Sequence, residues 1–129
     1  MSLETAILDL LAADSAVFAL TGDNLRHEWL EQDTPYPAVT ITRISTAPEY
    51  DLALDPLNRV RIQVDCFAKS FDEVRELADA VIAELHGYNG AAGTFSIDSI
   101  TLDNEVSLGE KDGDQVTRRV SLDFFVTYN

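Results

Sequence analysis

Metal binding and acid–base catalysis need His, Cys, Asp or Glu side chains held close together, and this chain offers only a few places to look. His27 stands beside Glu28, but neighbours on an extended strand point to opposite faces, which spoils joint ligation. His86 falls in the last turn of a helical pattern, where a cation favours the helix dipole, so a capping role is expected. Acids gather at Glu49, Asp51 and Asp55, and again at Glu110, Asp112 and Asp114. The second group alternates around Gly113 in the manner of a calcium loop, yet it lacks the full loop spacing and the distal bidentate Glu. It reads as a solvated hairpin tip. The single cysteine, Cys66, lies on the apolar side of its strand and is expected in the core, with no disulfide partner in the chain. No Gly-rich phosphate loop, GxSxG or HExxH occurs. No catalytic, cofactor or metal site is expected, and the chain is not read as an enzyme.

The elements behind these residues are clearest in the middle of the chain. NRVRIQVDCFA (Asn58–Ala68) alternates, with Val60, Ile62, Val64 and Cys66 on one side and Arg59, Arg61, Gln63 and Asp65 on the other. That period of two predicts a half-buried strand. SFDEVRELADAVIAELHG follows with helical spacing: Val74, Leu77, Ala78, Val81, Ile82 and Leu85 form one apolar stripe. Ser70 and Glu73 have capping-box spacing, and Gly87 supplies the stop. Upstream, one helix is expected over Leu3–Leu20, a short strand over Asn24–Trp29, a proline turn over Gln32–Pro37 and a strand over Ala38–Ser45. Thr46–Leu57 reads as a long loop and Tyr88–Gly93 as a flexible connection. Phe95–Asp103 reads as a strand whose apolar parity slips between Ile97 and Ile100, as a β-bulge produces. Gly109–Asp114 is a hairpin tip leading to a last strand, Gln115–Tyr128.

This order predicts an α+β fold: a mostly antiparallel sheet of four to five strands with two helices packed on one face. A chain of 129 residues fits one domain, residues 1–129, and can bury roughly two thirds of its unfolded surface without a metal or disulfide. The N-terminus has no basic start and carries Glu4, Asp9 and Asp14 among its apolar residues. Neither a signal peptide nor a membrane span is expected, and folding in a cytoplasm is. Asp and Glu total 23 against 9 Lys and Arg, a formal charge of −14. Such a polyanion repels nucleic acid and anionic lipid, so direct binding to either is not expected.

The uncovered face of the sheet would carry Arg59, Arg61, Gln63, Asp65, Thr117, Arg119, Ser121 and Asp123, which suits water. Phe67 and Phe125 share that parity and do not suit it. Either each strand twists and tucks its ring inward, or both rings are anchors for a neighbouring subunit.

Four stretches carry a resemblance: LLAADSAVFALTG, TPYPAVTI, RVRIQVDCFAKSFDEVRELADAVIAEL and RRVSLDFFVTY. In order and spacing the chain resembles the small phage tail-completion family, the tail-terminator or head–tail joining proteins of long-tailed phages. Thr46–Leu57 and Tyr88–Gly113 depart from its pattern. The resemblance implies a structural virion subunit that forms a ring, a hexamer, on the end of the tail tube and presents a surface to the head's neck. Implied partners are further copies of the chain, the tail-tube protein and the head or neck connector, at the tail–neck junction of a virion assembled in the host cytoplasm. DNA would pass through without being bound. Tyr50, Asp51, Phe67, Asp112 and Phe125 are the expected interface residues. Two other readings stand beside this one: a neck or head-completion protein, and an acidic DNA-mimic inhibitor. The arginines interspersed among the acids speak against the mimic.

Overall fold

The computed structural model describes residues 1–50 and 56–129. Its elements run α1 (Leu3–Ala13), α2 (Ser15–Thr21), β1 (Leu25–His27), β2 (Ala38–Tyr50), β3 (Pro56–Ala68), α3 (Phe71–Leu85), β4 (Gly90–Ala92), β5 (Phe95–Asp112) and β6 (Gln115–Tyr128). The strands form one mixed sheet in the order β1-β2-β3-β6-β5-β4. The class is α+β as expected, but the described residues hold six strands and three helices rather than four to five and two.

The extra helix comes from a break at Asp14. Its backbone is extended, and its carboxylate accepts the Val17 N–H at 3.0 Å, capping α2. The expected helix over Leu3–Leu20 is therefore two helices. The apolar spacing hides the break, because Leu11 and Val17 on either side of it both enter the core. β1 pairs with β2 in parallel, the one parallel pair among the described residues, and β4 lies within the stretch read as a flexible connection. The central helix conforms to expectation. Ser70 Oγ accepts the Glu73 N–H at 3.2 Å, and Gly87 takes a left-handed φ of 82°.

The largest departures are in strand length. The expected loop over Thr46–Leu57 is mostly hairpin, for β2 and β3 stay paired out to Tyr50 opposite Pro56. Likewise β5 continues past Asp103 and stays paired with β6 out to Asp112 opposite Gln115. Beyond Asn58 the β2–β3 pair has no β6 beside it, and beyond Arg118 the β5–β6 pair has no β3 beside it. The two-stranded arms are short, Glu49–Tyr50 with Pro56–Leu57 and Glu110–Asp112 with Gln115–Thr117; the rest of the missed stretches are edge strands of the main sheet. Because β3 and β6 are antiparallel, the two arms project from opposite ends of the sheet. The expected bulge is present as a register shift between Ile97 and Ser99, with a second between Leu102 and Asn104.

The core lies between one face of the sheet and the helices. Val60, Ile62, Val64 and Cys66 of β3 meet Val120, Leu122, Phe124 and Val126 of β6, under Leu77 and Val81 of α3 and Ile7 and Leu11 of α1.

Candidate interface

β3 and β6 lie side by side at the centre of the sheet, with Asp65 opposite Ser121, Phe67 opposite Arg119 and Arg61 opposite Phe125. Alternation turns these residues away from the helices. At their centre Asp65 is only 4% exposed. It accepts hydrogen bonds from Arg119 Nη2 at 2.9 Å, from Gln63 Nε2 at 3.0 and 3.1 Å, and from the Ser121 hydroxyl. A carboxylate can be buried on a helix-free face only because it is this fully satisfied. Arg61 reaches Asp123 at 3.0 Å and Asp103 at 3.1 Å. The hydrogen bond to Asp123 is the main reason its pKa rises above the ordinary arginine value.

The two phenylalanines sit among these charges. Arg59 lies 4.3 Å and Arg61 5.2 Å from the Phe125 ring centre. Phe67 has Arg119 at 5.6 Å on its ring and stacks on Tyr36 at 6.2 Å. Both rings are half-buried on the open face. Neither is tucked into the core, and neither stands bare: each is held by cation–π contacts from its own chain.

The interface expected from the sequence is not one patch. Phe67 and Phe125 share the open face, about 20 Å apart along the strands, which rise about 3.4 Å per residue. Tyr50 ends β2 at the tip of one arm, and Asp112 ends β5 at the tip of the other, at the opposite end of the sheet. Asp51 lies outside the described residues.

The sheet also leaves two edges unpaired among the described residues. β1 covers β2 only at Val39–Ile41, so β2 is open from Thr42 onward. β4 covers β5 only at Phe95–Ile97. The next stretch of β5 is capped by the turn after α3: Asn89 Nδ2 donates to the Asp98 carbonyl at 2.8 Å, and the Gly87 N–H to the Ile100 carbonyl at 2.8 Å. From Asp103 to Asp112 β5 is open. Of the large apolar side chains that are exposed, Ile44 lies on the first edge and Val106 and Leu108 on the second.

The model of one family, Tail completion protein gp17, matches residues 5–129 of this chain. The chain belongs to the tail-completion family. A search of curated proteins finds no match. Among solved structures, a chain of the "Virion of native gene transfer agent (GTA) particle" superposes with a TM-score of 0.79 at 17% identity. The alignment covers 98% of this chain and 94% of that one, and at this identity it establishes a shared fold.

In this tail-completion chain the chemistry-bearing residues have structural surroundings. Cys66 is fully buried, and burial pushes its thiol pKa well up. His86 is the C-cap of α3, as expected, and its Nδ1 accepts the Leu102 N–H at 3.0 Å, beside the second register shift of β5. His27 Nε2 lies 3.3 Å from Thr5 Oγ1. Burial first, and then the neighbouring Asp14, raise the pKa of Glu84 on α3. Among the described residues no cluster of three or more His, Cys, Asp or Glu could hold a metal, and no helix is long and apolar enough to cross a membrane. A cleft of about 570 Å³ between the Leu30–Tyr36 segment and the start of β6 is lined by Glu31, Asp33, Tyr36 and Lys69 among others.

The sequence reading missed the Asp65 network and the open edges. The network needs β3 and β6 to be neighbours, and they are far apart in the chain. One signal was present: Val106 and Leu108 alternate beyond the point where the strand was expected to end.

Proposed function

We propose that this chain is a structural subunit of a phage tail that assembles into a ring, a hexamer, closes the tail tube and joins it to the neck of the head. The carrying observation is the family match over nearly the whole chain. Further support comes from a surface built for neighbours rather than for a substrate: two arms at opposite ends and two open edges on opposite sides of one sheet. In this reading Phe67 and Phe125 are contact residues on the open face, the arms ending at Tyr50 and Asp112 reach adjoining subunits or the tube and neck proteins, and Asp51 is a further contact residue. The part is mechanical, with no bond-making step.

Charge sets how such a ring would behave. Six copies at −14 each amount to −84, which keeps passing DNA from sticking but also opposes assembly. At physiological salt the screening length is about 8 Å, so added salt weakens repulsion between subunits while leaving apolar and backbone contacts in place. Sedimentation of the purified protein should show monomers or weak association at low ionic strength and rising assembly as salt increases. Tighter assembly at low salt would mean that ion pairs hold the subunits together, against this reading.

A further inference from the structure

The two open edges have complementary properties. Each runs about 30 Å at the usual rise per residue, Thr42–Tyr50 on β2 and Asp103–Asp112 on β5. They bound opposite sides of the same sheet. They differ in charge. The β5 stretch, DNEVSLGEKD, holds four acids against one lysine, with Asp103 paired to Arg61 and Glu105 to Arg75, whereas the β2 stretch, TRISTAPEY, holds one glutamate and one arginine, the arginine paired to Glu4. Two β5 edges brought together would set acid against acid, and like charges across strands are destabilising. A β2 edge brings no such excess. Each edge also exposes apolar side chains, Ile44 on β2 with Val106 and Leu108 on β5, at 49%, 41% and 46% of their full exposure. An open strand edge with exposed apolar residues recruits another strand unless something covers it.

Resting on the ring reading above, we propose that the occupant of the β5 edge is the β2 edge of the next copy of this chain. The sheet then continues from subunit to subunit in a head-to-tail contact. Such a contact uses two different surfaces, so it closes into a ring when the rotation between copies allows, and closure leaves no edge open. The free N–H and C=O groups of both strands are then satisfied, and Ile44 approaches the Val106–Leu108 pair. This contact does not depend on ion pairs, so it survives the salt that relieves subunit repulsion.

The test uses the full chain at ring-forming salt with the variant Thr46→Cys/Ser107→Cys, which places one thiol on each edge at exposed positions; Thr46 lies opposite Val60 and Ser107 opposite Val120, so both thiols fall on the same face of the sheet. The native Cys66 is fully buried and stays unlabelled. With a short bis-maleimide the double variant should give a covalent ladder from dimer up to ring size. Each single variant alone should stay monomeric on a denaturing gel, and a mixture of the two singles should stop at dimers. Dimers from Ser107→Cys alone would mean that like edges meet, and would overturn the proposal. So would cross-linking to added tail-tube protein in place of self, since the edge would then take a foreign strand. Native mass spectrometry separates the remaining failures. Rings without a ladder would refute the edge contact alone, and no assembly at any salt would refute the ring reading and the contact with it.

Discussion

Phe124→Ala is expected to cost about 3–5 kcal/mol, while Phe125→Ser, one residue further along β6, should leave the fold standing. Phe124 is 1% exposed and heads the fully buried side chains, between Ile62 on β3 and Leu102 on β5. Truncation leaves a cavity that the surrounding strands cannot collapse to fill. For a domain of this size the loss corresponds to a fall of about 10–20 °C in Tm, a large part of the usual stability margin. Phe125 faces the other way. Its ring is half-buried under Arg59 and Arg61, so its removal should cost the monomer about 1 kcal/mol. If it is an interface anchor, its loss should weaken subunit association by about 2 kcal/mol, roughly thirtyfold. Thermal unfolding and sedimentation of the two variants separate the effects. Comparable Tm losses in both would place Phe125 in the core and remove it from the interface.

Asp65→Ala is expected to cost about 2–4 kcal/mol, the largest effect of any substitution on the open face. The carboxylate is the shared acceptor for Arg119, Gln63 and Ser121 at the junction of β3 and β6. Without it the Arg119 guanidinium, 31% exposed, keeps its charge and loses its partner. The penalty is mostly that of stranding a desolvated group, so removing both partners should cost less than removing the acid alone. Asp65→Leu/Arg119→Leu should therefore recover part of the stability that Asp65→Ala loses. A double-mutant cycle by chemical unfolding measures the coupling directly. A single variant within 0.5 kcal/mol of the parent would show that the network holds nothing together.

What the sequence made legible follows from how local each signal is. The alternation in Asn58–Ala68 and the stripe from Val74 to Leu85 are local, and both elements appear within a residue or two of expectation. The slip between Ile97 and Ile100 was also local, and β5 shifts register there. Asp14 was legible in principle, since an Asp–Ser pair is a familiar helix start, but the apolar spacing on either side masked it. The arms were not legible. Pro48, Glu49 and Pro56 are residue types that disfavour strands, yet their backbones are paired between β2 and β3. The candidate interface was half legible. Parity exposed Phe67 and Phe125 as misfits on a polar face, but which strands would be neighbours, and so which arginines would cover the rings, depends on the β3–β6 pairing between distant segments. The edges are a property of the assembled sheet and of no single segment.

The central claim is that this chain works as a subunit of a closed collar on a tail. Electron microscopy of purified tails incubated with the protein tests it most directly. The account predicts a ring of this subunit at one end of the tube and no further tube growth from that end. Tails left bare, with the protein remaining a monomer in solution, would contradict it.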